Sequence, residues 1–283
     1  MQTANNLKIG IVGLGLIGGS LYKNLVKNSF TNLYIYTQNQ QTLSSILTNG
    51  NKASDNIDIL KECEVIFVCS PISKTVKMIK NIFNINKTAI FVDVASLKSD
   101  ILEEVEKLEN CKFIGSHPMA GTENSGFSAS FPELFEDAKW IITPSKNVSE
   151  DDINTIKNII NYTGANVVEM DAKEHDKAVA LISHTPLLLS QALMLTTLDK
   201  DNAKLLASSG FRDMTRLSMS NKIMAEDMLT LNTENIKSSL QNIIDNANAL
   251  LNSEFFNNNI EKIIAERKNL YNNEGKNIFR NND

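Results

Sequence analysis

Through the first 170 residues, short apolar runs alternate with stretches of helical periodicity. "KIGIVGLG" (8–15), "NLYIYT" (32–37), "CEVIFVCSP" (63–71), "TAIFVDVAS" (88–96), "CKFIGSHP" (111–118), "AKWIITP" (138–144) and "ANVVEM" (165–170) read as buried strands. Between them, 18–28, 40–50, 73–84, 97–109 and 149–164 carry apolar residues at helical spacing. The last of these opens on Ser149 with acids in its first turn, the signature of a capped helix start. Strands alternating with helices predict a parallel sheet covered on both faces, a Rossmann-type α/β domain.

After Asp171 the period changes. Helical spacing dominates "KEHDKAVALISHTPLLLSQALMLTTL" and returns over 233–271, with no convincing strand. The reading is an α/β domain over 1–171 and an all-helical domain over 172–283. Pro186 has no N–H for the carbonyl of Ile182, so a kink is expected there. Long apolar helices such as 173–198 need more cover than one small bundle supplies, which predicts a homodimer formed through the helical domain.

Composition adds exclusions. A net charge of −5 argues against nucleic acid or an anionic membrane as the main partner. No apolar run reaches roughly 18 residues, so no membrane span is expected. The opening "MQTANNLKIGIVG" lacks a charged head and apolar stretch, which predicts a cytoplasmic protein. Cys63, Cys69 and Cys111 match no zinc spacing; neither a metal site nor a disulfide is expected, and Cys69 reads as a buried core thiol.

"GLGLIGGS" sets Gly13, Gly15 and Gly18 in G-x-G-x-x-G spacing. The spacing alone is unspecific. Here it follows a strand and opens a helix at the start of an α/β pattern, the context a dinucleotide pyrophosphate needs. Gly13 would permit the turn, Gly15 the approach of the phosphates, and Gly18 close packing of helix on strand. The cofactor-binding candidates are Gly13, Gly15, Leu16, Ile17 and Gly18, with Thr37, Ser70 and Pro71 at the ends of later strands. Thr37 stands where an acid usually binds the adenosine ribose, and no Arg or Lys follows to hold a 2′-phosphate. That favours NAD and leaves NADP open.

Three polar spots stand out. His117, one of three histidines in the chain, sits in "GSHPMAGTENSG" at the carboxyl end of a strand, where ligands of open α/β sheets bind. A histidine there suits a base that takes a hydroxyl proton during hydride transfer, or a loop histidine that only bonds the backbone. His184 lies on an apolar helix, a place more usual for a packed core residue. "SSGFRDMTRLSMS" (208–220) interrupts the helices with Arg212, Asp213 and Arg216. An Arg here can fork onto a carboxylate or pair with Asp213 on a solvated helix start.

Together "GLGLIGGS", "VDVASLK", "SHPMAGTENSG", "LISHTP" and "GFRDMTR" resemble the prephenate dehydrogenase family of tyrosine biosynthesis, in order and approximate spacing over about residues 7–230. The resemblance implies oxidative decarboxylation of prephenate to 4-hydroxyphenylpyruvate with hydride transfer to NAD or NADP. It casts His117 as acceptor of the ring hydroxyl proton and Ser96 as the group that orients that hydroxyl. It places Arg216 on a substrate carboxylate and His184 at the polar end of the substrate, with Glu123 and Asp213 supporting or gating. Arogenate dehydrogenase or a dual-specificity cyclohexadienyl dehydrogenase is the alternative within this chemistry. A dinucleotide sensor without catalysis is a third reading, opposed by the joint presence of His117, Ser96 and Arg216. One departure stands out: where family members often read "TRIAxSDPxMW", this chain reads "TRLSMSNKIMAED", with Ala225 in place of the Trp and Lys222 as an extra cation.

Overall fold

The computed structural model of the chain describes residues 4–48, 52–122 and 124–271. Strands β1 (Ile9–Val12), β2 (Leu33–Tyr36), β3 (Lys52–Ser54), β4 (Val65–Val68), β5 (Ile90–Asp93), β6 (Lys112–Pro118), β7 (Lys139–Pro144) and β8 (Asn166–Glu169) form one sheet in the order β3-β2-β1-β4-β5-β6-β7-β8. Helices α1 (Leu16–Lys27), α2 (Gln40–Thr48), α3 (Ile72–Phe83), α4 (Ser99–Glu106) and α5 (Glu150–Asn161) are the connections. The order reverses at β1, whose neighbours are β2 and β4, so the crevice between the ends of β1 and β4 is the topological switch point.

The strands from β1 to β6 pair in parallel, but β7 runs antiparallel to β6 and β8 follows β7. An all-parallel sheet, as the alternation of elements predicts, therefore fails at its last two strands. A parallel return needs a crossover, usually helical. Among the described residues, the segment between Pro118 and Lys139 supplies only a 3-10 turn over Phe127–Ala129, and the chain re-enters the sheet in the opposite sense. Strand β3 also escapes the hydropathy pattern, being three residues long and half exposed at the sheet edge.

Alternation along the strands divides the core. Ile9, Ile11, Ile35, Phe67, Val92 and Ile142 face one side with Leu21 and Leu25 of α1 and Ile156 and Ile160 of α5. Val12, Ile66, Val68, Phe91 and Phe113 face the other with Ile79 and Ile82 of α3 and Ile101 and Val105 of α4. Ser149 accepts from the Asp152 N–H while the Asp152 carboxylate accepts from the Ser149 N–H, so α5 starts in a reciprocal capping box.

Asp171 caps the next helix by accepting from the N–H groups of Lys173 and Glu174. From there the described chain is helical: α6 (Ala172–Val179), a π turn over Ala180–His184, α7 (Thr185–Leu195), α8 (Asp201–Leu205), α9 (Ser209–Thr215), a 3-10 turn at Arg216–Met219, α10 (Lys222–Leu231), α11 (Thr233–Leu250) and α12 (Ser253–Tyr271). The π turn lies just before Pro186, where the missing N–H predicts a disturbance of the helix.

The continuous run Ala172–Leu195 is long and apolar enough to cross a membrane by length and composition, which counting apolar residues in the sequence does not predict. Its inward face carries His175, Asp176 and His184, all buried, and these bond to groups elsewhere in the protein. In the single chain, 33% of the run's apolar 18-residue stretch is buried. The helical part has a thin core of Leu187, Ala225 and Met228 with Leu217 against it. Many of its apolar side chains face outward, Leu205 at 82%, Leu206 at 80% and Leu195 at 67% exposed.

Candidate active site

The Gly-rich turn leaves β1 at the switch point. Gly13 has φ +83°, a conformation that L side chains rarely adopt. A Cβ on Gly18 would lie 2.1 Å from the Gly13 carbonyl oxygen and 2.8 Å from the Cys69 Cβ, so only glycine lets α1 sit this close to the turn and to the end of β4. Gly15 is different, because a Cβ there would meet nothing within 4 Å. Gly15 is also the N-cap of α1, and no side chain caps the helix. The N–H groups of Leu16, Ile17 and Gly18 thus have no intrahelical carbonyl, beside open space, in a first turn without acidic residues. Such a helix start can hold an anion such as a pyrophosphate.

Thr37 closes β2 and is buried; its hydroxyl accepts from the Asn39 N–H 3.3 Å away. Across the crevice the Ser70 hydroxyl is 3.0 Å from that of Thr75, and Pro71 is the N-cap of α3. Cys69 is half-buried rather than a core thiol, because it flanks the crevice where Gly18 passes.

His117 is half-buried near the carboxyl end of β6. Its Nδ1 lies 2.9 Å from Nε2 of His175 on α6. Nδ1 of His175 lies 2.8 Å from Oδ1 of Asp176. The Asp176 carboxylate also accepts from the N–H groups of Lys98 (2.9 Å) and Ser99 (2.8 Å), where α4 begins. A line of three side chains therefore runs from the sheet edge to a helix N-terminus, crossing from the α/β part to the helical part.

Beneath it lies a second polar cluster. Lys98 pairs with Asp93, both side chains fully buried, and its Nζ also donates to the Ser116 carbonyl at 2.7 Å. Asp93 accepts from the N–H groups of Ala95 (3.0 Å) and Ser116 (2.8 Å). The Ser116 hydroxyl accepts from the Trp140 indole N–H at 3.0 Å. These bonds fix the bend that carries the half-buried Ser96, and the strand position next to His117.

The remaining sequence candidates are placed unevenly. His184 is fully buried, its Nδ1 accepting from the Asn232 amide at 3.1 Å, while its Nε2 has no hydrogen-bond partner among the described residues. It lies behind the His117 line rather than open to the cleft. Arg216 and Asp213 are exposed. Asp213 pairs with Arg212 at 3.4 Å, not with Arg216, whose segment packs on α7. Ala225, in the position of the family's Trp, is buried against Leu187 and Met228. Lys222 is exposed. Glu123 lies outside the described residues.

Electrostatics derive from burial. Burial, reinforced by His175, Lys98 and His184, holds His117 well below the ordinary histidine value of 6.5. Burial pushes His184 down to about 4 against the opposing charge of Asp176. For Asp176 burial acts upward, but hydrogen bonds from His175, Ser99 and Lys98 outweigh it and keep the carboxyl below its usual value.

His175, Asp176, Asp93, Lys98 and Asn232 do not emerge from the sequence reading. One signal was available. Ala172, His175, Asp176 and Val179 are the buried residues of α6, at i, i+3, i+4 and i+7. A His–Asp pair therefore occupies the stripe that periodicity reserves for apolar side chains. Lys98 and Asp93 gave no such sign, since a charge after a strand normally faces solvent.

The family model described as "Prephenate dehydrogenase, nucleotide-binding domain" matches residues 23–169, beginning after the Gly-rich turn. The model "Prephenate dehydrogenase, dimerization domain" matches 171–266. The chain is 30% identical to prephenate dehydrogenase of Bacillus subtilis over 80% of its own length and 64% of that protein, so it spans just under two thirds of this curated relative. Among solved structures it resembles prephenate dehydrogenase from A. aeolicus in complex with hydroxyphenyl propionate and NAD+, with TM-score 0.85, 26% identity, and 93% and 97% of the two chains covered. It also resembles Synechocystis arogenate dehydrogenase, with TM-score 0.75, 30% identity, and 95% and 98% covered.

Proposed function

Since this chain belongs to the prephenate dehydrogenase family, we propose that it oxidises prephenate with NAD, releasing CO₂ and 4-hydroxyphenylpyruvate. The observation that carries the reading is His117, a half-buried histidine held neutral at the sheet edge that the family's motif assigns to the proton acceptor. The division into a dinucleotide domain over 1–171 and a helical domain over 172–283 belongs to the same proposal.

NAD, when bound, accepts the hydride from the hydroxyl-bearing ring carbon. The N–H groups at the start of α1 and the open space at Gly15 would hold its pyrophosphate, with Leu16, Ile17, Thr37, Ser70 and Pro71 along the crevice. Thr37 offers neither an acid for a ribose nor a cation for a 2′-phosphate, so NAD is favoured by the lack of a phosphate partner. Ser96 orients the substrate hydroxyl and His117 takes its proton. The ring carboxylate leaves as CO₂, and the electrons of its bond to the ring complete the aromatic system. Arg216, exposed and with no ion pair among the described residues, is available to a substrate carboxylate. The family resemblance assigns His184 to the polar end of the substrate and Asp213 and Glu123 to supporting or gating roles.

The similarity to an arogenate dehydrogenase keeps arogenate as the second reading. The two substrates differ only in an amino against a keto group on the side chain. We place the enzyme in the cytoplasm as a homodimer. Its match to the family's dimerization domain and the exposed leucines of the helical part support the dimer. A steady-state assay of reduced cofactor with prephenate against arogenate, and NAD against NADP, tests the proposal. Turnover with neither substrate rejects it.

A further inference from the structure

We infer that His175 and Asp176 are positioning residues that keep the proton of His117 on Nδ1 and so leave Nε2 as the accepting atom. The inference rests on the reading of His117 as the base. The fixed end of the line is Asp176, which receives two backbone N–H groups, from Lys98 and Ser99, at the start of α4. A carboxylate so held is an acceptor only, at a place where the helix favours negative charge. The contact of 2.8 Å with His175 therefore requires Nδ1 of His175 to be the donor. A neutral imidazole protonated at Nδ1 presents a bare Nε2. That nitrogen is 2.9 Å from Nδ1 of His117, which must then carry the hydrogen. Nε2 of His117 is left with its lone pair.

In the reaction the substrate O–H bond breaks and an Nε2–H bond forms on His117. The resulting imidazolium keeps its Nδ1–H bond to His175. His117 belongs to the sheet and His175 to the first helix beyond it, so the protonation pattern of the base depends on how the helical part is docked. His184 provides an internal contrast. The Asn232 amide nitrogen donates both to the Asp176 backbone carbonyl (2.9 Å) and to His184 Nδ1, which makes His184 the opposite tautomer, protonated at Nε2.

The chain has three histidines, so the tautomers are measurable without turnover. Nitrogen-15 NMR of the substrate-free, histidine-labelled protein should show two rings protonated at Nδ1 and one at Nε2, assigned by single substitutions. His117 protonated at Nε2 overturns the inference. Kinetically, His175→Leu should lower kcat at least about tenfold with KM within about twofold, and His175→Gln, which restores an acceptor, should recover most of the loss. Full kcat in His175→Leu, where His117→Asn is impaired, also overturns it. If His175→Leu does not fold, the wild-type spectrum decides alone. If His117→Asn keeps full activity, the proposed function of His117 fails, and the tautomer in the wild-type spectrum still tests the positioning role separately.

Discussion

Lys98 and Asp93 form an ion pair with both side chains shielded from solvent, tied on either side to the backbone of Ser116. The pair fixes the strand position that precedes His117 and the bend that holds Ser96. Removing one member strands the other charge in the interior, which costs about 3–5 kcal/mol. Lys98→Met should therefore lower the urea midpoint markedly. An unchanged midpoint would show that Asp93 is satisfied by its two backbone donors alone.

His117→Asn keeps a polar side chain of similar size but cannot accept the proton. It should lower kcat by roughly 10²–10⁴-fold while leaving NAD affinity unchanged. Arg216→Ala should act differently, raising KM with kcat nearly preserved if the guanidinium binds ground state and transition state alike. Its exposure means no folding penalty is expected. Because His117 must be neutral and its pKa lies well below 6.5, kcat/KM should stay flat from pH 9 down to 6.5 and fall only below that. An acid limb centred at or above 6.5 would contradict the burial argument.

Stability should depend on pH in the same window through His184. Its folded-state value of about 4 lies below the 6.5 of an unfolded chain. The unfolded state therefore binds the proton first, and stability is lost as pH falls from about 6.5 toward 4. Urea unfolding at pH 7.5 and 5 measures the slope. A His184→Gln variant should show a shallower one than wild type.

The two glycines separate binding from folding. Gly15→Val projects into open space, so the substrate-free protein should melt normally while its Kd for NAD rises at least about tenfold. Gly18→Ala collides with the Gly13 carbonyl and Cys69, so its melting temperature should drop before any ligand is added. Equal behaviour of the two in calorimetry and titration would remove the pyrophosphate role of Gly15.

Sedimentation at micromolar concentration should give twice the chain mass. Leu205 and Leu206, more than three-quarters exposed, are candidates for cover. A monomer would show that these side chains are tolerated in water.

All strands of the sheet but the short edge strand β3 were legible because each carries its own period. The predicted helix over 73–84 is Ile72–Phe83, and the strand over 111–118 is Lys112–Pro118. The reversed sense of β7 was not legible from strand patterns, since direction belongs to the connection. The loop after Pro118, lacking a helix, held that information. That a glycine-rich turn opens α1 and that His117 stands near the end of β6 were legible because turn geometry and strand period are local.

The amino-acid sequence by itself thus determined the periods and the turns: a Gly-rich turn between a strand and a helix, a histidine at a strand end, and a helical second half. Tertiary structure alone decided which groups face one another. His175 lies 58 residues from His117 in the chain, yet meets it because α6 docks on the start of α4, where Asp176 accepts from the N–H groups of Lys98 and Ser99. Hydrogen bonds and low dielectric act over a few ångströms of space, whatever the distance along the chain, so only packing sets which group faces Nδ1 of His117.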